Sequence, residues 1–123
     1  MAGGKSKKRP AFSDWSSVAA YASSLPGAEI SNHYGKPAVK VNGHTMIGVS
    51  RESDSFVLHI DQSIKNILMA AHPTIFWQTP HYDGWDCLLV RFDSDDQDRV
   101  REAIERSWQW ATELKNPKVR KRR

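Results

Sequence analysis

The chain predicts an α+β fold, a two-layer domain with an antiparallel sheet and helices gathered on one side, in the order helix, three strands, helix, one or more strands, helix. Three observations carry this. Asn42-Gly43 stands between two alternating segments, Ala38 to Val41 and His44 to Val49, and Asn-Gly accepts the positive φ values of a two-residue hairpin turn. Apolar residues recur at helical spacing near both ends and once in the middle. Between the second and third helical stretches lies an aromatic run with no regular period, Thr74 to Asp86.

The first helix starts at Ser13 or Asp14 and carries Trp15, Val18, Ala19, Ala22 and Leu25 on one stripe, with Pro26-Gly27 as its stop. Extended chain follows from Glu29, then the Asn-Gly hairpin. A turn at Glu52 to Ser55 leads into Phe56-Val57-Leu58-His59-Ile60, rich in strand formers, which completes three consecutive strands. Asp61 is placed to cap a second helix with Ile64, Ile67, Leu68 and Ala71 inward and His72-Pro73 as its end. Cys87 to Phe92 reads as a strand. Ser94 with Gln97 forms a capping box for a long last helix whose stripe is Val100, Ile104, Trp108 and Ala111, with Trp110 offset and exposed. The sheet face away from the helices must be covered by water, by the aromatic loop or by a second copy of the chain in a homodimer.

At 123 residues the chain suits one domain. No apolar run approaches the roughly 20 residues of a membrane span, and the basic N-terminus precedes no apolar signal segment, so the expectation is a cytoplasmic protein with no membrane contact. The lone Cys87 sits in an apolar run and reads as a buried thiol.

Charge is uneven. Residues 1–9 carry four Lys/Arg, residues 115–123 carry six, and neither end carries an acid, which leaves the body at −6 although the whole chain is +4. Blocks of like charge with few apolar residues cannot offset the entropy of ordering. The expected organisation is a disordered basic arm over 1–10, one domain over 11–114 and a disordered basic tail over 115–123.

Several segments together resemble the MmcQ/YjbR family: Leu25-Pro26-Gly27-Ala28-Glu29, Tyr34-Gly35-Lys36-Pro37-Ala38-Val39-Lys40-Val41 with Gly43, Val57-Leu58-His59-Ile60, and Thr79-Pro80-His81-Tyr82-Asp83-Gly84-Trp85 leading into Leu89-Val90-Arg91-Phe92. The resemblance covers roughly positions 13 to 114. It implies an α+β fold similar to secretion-chaperone-like and frataxin-like domains, a small bacterial module, and, from the label DNA-binding that such proteins commonly carry, a double-wing contact to DNA. It brings no catalytic motif. The chain departs from the family pattern at Trp85-Asp86-Cys87 and in the basic extension after Leu114.

The residues themselves suggest a partner class. Ten terminal cations, among them Lys118, Arg120, Lys121, Arg122 and Arg123, attract a polyanion by counterion release without reading sequence, so non-specific nucleic acid is the expected partner. Such tails also serve simply as solubilising ends. Within the domain Lys36 and Lys40 flank the first hairpin strand and Arg51 follows the second, although lysines on a strand edge also guard against unwanted pairing. In the aromatic loop Trp77 and Tyr82 are assigned to covering the core, and His81 and Trp85 to facing a ligand. The alternative is a non-catalytic adaptor or homodimer that uses the same loop or the open sheet face.

No cofactor, metal or catalytic site is expected. The five histidines show no ligand spacing, Cys87 has no second thiol, and Gly-x-Ser-x-Gly, phosphate-loop and His-Glu-x-x-His motifs are absent. Asp83 near His81 is ordinary turn chemistry.

Overall fold

The computed structural model describes residues 11–115. The arm expected over 1–10 and the tail from 116 onward, with Lys118 and Arg120 to Arg123, lie outside the described residues. The elements are α1 (Trp15–Ser23), β1 (Glu29–His33), β2 (Lys36–Val41), β3 (His44–Val49), β4 (Ser55–His59), α2 (Gln62–Ala71), β5 (Phe76–Trp77), a single 3-10 turn (Pro80–Tyr82), β6 (Cys87–Arg91) and α3 (Gln97–Glu113). The strands form one sheet in the order β1-β2-β3-β4-β6-β5, antiparallel at every pairing. The α+β class is as expected.

Four strands, not three, precede α2. The extra one is β1, paired residue for residue with β2 from Glu29↔Lys40 to His33↔Lys36. It lies at the edge of the sheet and carries mostly polar residues, so no apolar alternation marks it. Its turn, Tyr34-Gly35, has φ values of 52° and 81°, the same doubly positive geometry as Asn42-Gly43 at 55° and 79°.

Local chemistry sets the helix starts. Asp14 accepts from Ser17 N at 2.9 Å while Ser17 Oγ accepts from Asp14 N at 3.2 Å, a reciprocal cap on α1. Asp61 accepts from the amides of Ser63 at 3.1 Å and Ile64 at 3.4 Å, capping α2 as expected. The cap of α3 is Asp96 rather than Ser94. Ser94 Oγ accepts from Asp96 N at 3.0 Å and closes a local turn, which frees the Asp96 carboxylate to accept from Arg99 N at 3.1 Å. Gln97 instead ties the chain start down, accepting from Phe12 N at 2.6 Å.

The helices share one core. Val18, Ala19 and Ala22 of α1 and Val100, Ala103, Ile104 and Ala111 of α3 are buried against Ile47, Phe56, Leu58, Leu88 and Val90 of the sheet. Burying each large apolar side chain contributes about 1.5–3 kcal/mol, so this layer dominates stability. Val39 pairs with Ile47 but Lys40 with Thr45, leaving Met46 without a partner in the ladder. This bulge lets the adjacent Met46 and Ile47 both enter the core, which strict alternation forbids.

The buried face of α2 differs from expectation. Ile64, Leu68 and Met69 pack on the core, but Ile67 is 60% exposed and Ala71 is exposed, while Lys65 is fully buried. A ten-residue helix laid on the β5–β6 edge presents only a narrow strip, and the Lys65 stem lies within it. Trp110 also differs: it is half-buried, and Tyr34, 93% exposed, is the outward aromatic instead.

On the other face Val57, Cys87 and Leu89 form a small cluster under Trp77 and Tyr82. Trp77 Nε1 donates to Ser55 Oγ at 3.0 Å, and the Arg91 guanidinium lies 4.4 Å over its ring. The aromatic loop therefore covers the β4–β6 half of this face. Toward β1 the sheet curls: His33 and His59 ring centres are 5.7 Å apart, although three strand spacings in a flat sheet span about 14 Å.

Candidate nucleic-acid interface

The loop from Thr79 to Asp86 is held by main-chain contacts. Lys65 Nζ, at the end of a buried stem, donates to the carbonyls of Tyr82 and Trp85, each at 2.8 Å. Gln62 Nε2 reaches the same Trp85 carbonyl at 3.2 Å, Trp85 N donates to Tyr82 O at 3.0 Å, and Ile60 N donates to Asp86 O at 2.9 Å. Gly84, at φ 83°, makes the reversal that brings these carbonyls round to the ammonium. The result is a fixed backbone with outward side chains: His81 is exposed, its ring edge-on to Tyr82 at 5.0 Å, and Trp85 is 66% exposed.

The same end of the sheet anchors the start of the basic tail. Asn42 Nδ2, in the β2–β3 turn, donates to Ala111 O at 3.1 Å and to Leu114 O at 2.6 Å, and His44 Nε2 donates to Lys115 O at 2.7 Å. A hairpin turn thus supplies the donors that the last carbonyls of α3 lack. Ser107 Oγ, within 2.6 Å of His59 O and 3.1 Å of Met46 O, fixes these strands side by side, and His59 pairs with Cys87 at the exit of the aromatic loop. Trp85 and Lys115 therefore stand at one end of the sheet.

The opposite end is acidic. The chain start is held there, with Asp93 N donating to Phe12 O at 2.9 Å. Six of the fourteen acidic residues fall from Asp93 to Glu105, a seventh, Glu113, lies at the tail anchor, and Asp96, Asp98, Glu102 and Glu105 line one groove with Arg99 and Arg101. Both arginines are occupied: Arg99 Nε lies 3.3 Å from Asp96 and Arg101 2.6 Å from Asp98. The start of α3 is thus the densest acidic stretch, although Asp61, Asp83, Asp86 and Glu113 stand at the loop end.

The expected site residues divide accordingly. Lys40 pairs with Thr45 near the tail anchor and belongs to the same end as His81 and Trp85. Lys36 stands four residues back along β2, about 13 Å away, and Arg51 lies in the β3–β4 turn beside the Arg91 end of β6. Lys36, Lys40 and Arg51 do not form one patch. None of the three takes part in an ion pair among the described residues. The sequence marks Asn42 as a turn residue and His44 as a strand start but neither as a tail anchor, and it does not single out Lys65 or Gln62, which hold the loop. One signal was present for Lys65, a cation between Ile64 and Leu68 on the apolar arc of a helix.

The two histidines that meet on the concave face resist protonation. Burial, with a smaller contribution from the nearby His33, pushes His59 down to about 4, and burial with the Lys40 charge lowers His33. Burial raises the Cys87 thiol, only partly opposed by Lys65, so it stays protonated and unreactive. Among the described residues no three His, Cys, Asp or Glu side chains converge as metal ligands, and no helix is long and apolar enough to cross a membrane.

Comparison with known proteins adds a family. An uncharacterized protein of Mycobacterium bovis and one of Mycobacterium tuberculosis are each 33% identical to this chain over 48 residues, 39% of this chain and 37% of the relative. The match thus spans well under half the length of these curated relatives. No solved structure matches the chain. The YjbR family profile matches residues 23–110, from the end of α1 to the last turn of α3, which takes in the sheet, the Lys65-held loop and the tail-anchoring hairpin; the chain belongs to the YjbR family.

Proposed function

We propose that this protein is a non-catalytic nucleic-acid-binding protein of the cytoplasm that holds its partner without base preference, as the DNA-binding label of MmcQ/YjbR proteins implies. The C-terminal cations, Lys118, Arg120, Lys121, Arg122 and Arg123, neutralise phosphates, and Lys40 with the His81 to Trp85 loop shapes the contact. Lys36 and Arg51 stand apart and contribute only long-range attraction. The observation that carries this reading is one of placement: the tail anchor and the exposed loop share one end of the sheet, and the acidic start of α3 occupies the other. A polyanion drawn to the tail meets the exposed aromatic side chains of the loop, with Asp83 and Asp86 beside them, rather than the acidic groove at the start of α3.

The test compares the full chain with residues 10–114 for binding to duplex and single-stranded DNA at low and moderate salt. Binding by the full chain that weakens with salt supports the reading; no binding at low salt by either form ends it.

A second reading, self-association, is favoured by one observation. Ile30 is 61% exposed and Tyr34 93% exposed at the end of the edge strand β1, where a second copy would find an unpaired ladder. Light scattering on the same samples tests it, a monomer at all concentrations being the adverse result.

A further inference from the structure

We infer that Trp85 is a stacking platform for an unpaired nucleobase, so that the protein prefers single strands to duplex. This rests on the nucleic-acid reading above and narrows it. Three observations support it.

The Trp85 indole is 66% exposed and meets no other aromatic ring among the described residues. It is not covering the core, a role taken by Trp77 and Tyr82. Yet its backbone is among the most constrained in the loop: Lys65 and Gln62 share its carbonyl, Tyr82 O takes its amide, and the next residue is tied to Ile60. An aromatic side chain that is open to solvent on a pinned backbone pays little ordering entropy when a flat ligand settles on it.

The chemistry of this end suits bases more than duplex phosphates. A duplex hides its base faces in the stack and is bound chiefly through rows of cations. Here the described domain offers Lys40 and Lys115 near the loop, offset by the exposed Asp83 and Asp86 within it, with Lys36 and Arg51 at the far end. A single strand presents base faces freely, and aromatic stacking is indifferent to which base arrives. The tail anchor at His44 lies two strand spacings, about 10 Å, from Cys87 at the loop exit, a span a few nucleotides bridge. One short strand can therefore lie on Trp85 and run to the tail.

The shared chemistry is an unpaired base on a phosphate chain, supplied by either DNA or RNA. Binding of the full chain to end-labelled 20-mers of thymidylate and of uridylate, and to a 20-base-pair duplex, is measured by fluorescence anisotropy at one salt concentration, for the native protein, Trp85→Ala and Trp85→Phe. Thermal melting of each variant establishes that it is folded. Both single strands are expected to bind more tightly than the duplex, Trp85→Ala to weaken them about tenfold, Trp85→Phe to restore most of the loss, and duplex affinity to stay within about twofold; the tighter of the two single strands names the source. If Trp85→Ala leaves single-strand affinity unchanged, or lowers duplex affinity equally, the stacking inference is wrong and general polyanion binding survives. If the native chain binds none of the three ligands, the nucleic-acid reading itself is wrong.

Discussion

Lys65 Nζ donates to the Trp85 carbonyl at 2.8 Å from a side chain with 1% of its surface exposed, so the most exposed tryptophan of the loop is held by a fully buried cation. The ammonium has no carboxylate partner at ion-pair distance among the described residues and is satisfied by main-chain oxygens of Tyr82 and Trp85. Withdrawing a charge from water is costly, and the two charge-assisted bonds offset that cost only while the loop stays closed on Lys65.

Lys65→Met keeps the stem volume and removes the donor. Tyr82 O then keeps only the Trp85 amide and Trp85 O only the Gln62 amide, and the loss of two charge-assisted bonds is expected to lower the unfolding free energy in urea titrations by about 1–2 kcal/mol. Single-strand affinity should fall with it while duplex affinity holds, because the loop and not the tail is disturbed. An unchanged urea midpoint would mean that the loop is closed without this residue.

His59 gives the fold a pH dependence whose sign is fixed. Its folded pKa is pushed down from 6.5 to about 4, so the unfolded chain takes up a proton that the native state refuses. Stability is unaffected by this group above about pH 6.5 and declines as pH falls toward 4, by about 3 kcal/mol in full at 1.36 kcal/mol per unit. His33, also lowered, acts in the same direction. Carboxylates titrate in the lower part of this range too, so the readout is the difference between native protein and His59→Gln in urea midpoints at pH 7, 5.5 and 4.5. That difference should shrink steadily on acidification, and a constant difference would show that His59 ionises freely.

Asn42 does two jobs that two substitutions separate. Its φ of 55° suits the hairpin turn, and its amide holds the carbonyls of Ala111 and Leu114. Asn42→Gly keeps the turn and loses the bonds, for an expected cost of about 1 kcal/mol. Asn42→Ala loses both and should cost about 2 kcal/mol. Equal melting temperatures for the two variants would remove the backbone contribution.

The two charged ends are expected to be unequal in binding, although charge alone makes them nearly equal. Deleting 116–123 removes five cations and deleting 1–9 removes four. The tail follows Lys115 beside the exposed loop, whereas the arm precedes Phe12 beside Asp93. Tail deletion should weaken oligonucleotide binding at low salt by roughly tenfold or more, and arm deletion by only a few-fold. Equal losses in anisotropy titrations would show that the placement of the tail anchor at the loop end does not direct the contact.

What the sequence revealed followed the range of the forces involved. The Asn42-Gly43 turn, the start of α1 at Asp14, the Asp61 cap and the α3 stripe depend on residues a few positions apart, and each is found as read, apart from the two-residue shift of the α3 cap from Ser94 to Asp96. β1 escaped because an edge strand needs no buried face and because a tyrosine at positive φ is not a common turn signal. Lys65 escaped for a different reason: its burial depends on carbonyls 17 and 20 residues further along, which no local pattern encodes. The assignment of Trp77 and Tyr82 to cover, with His81 and Trp85 outward, agrees with their burial, whereas Lys36, Lys40 and Arg51 looked adjacent only because the chain distance between them hides the length of a strand.

The most direct measurement of the central idea is the salt dependence of single-strand binding by the full chain. If the five tail cations after Lys115 neutralise phosphates, log K should fall linearly with log salt at a slope of about −3 to −4, near −0.7 per contact. A slope near zero, or no binding in dilute buffer, would contradict it.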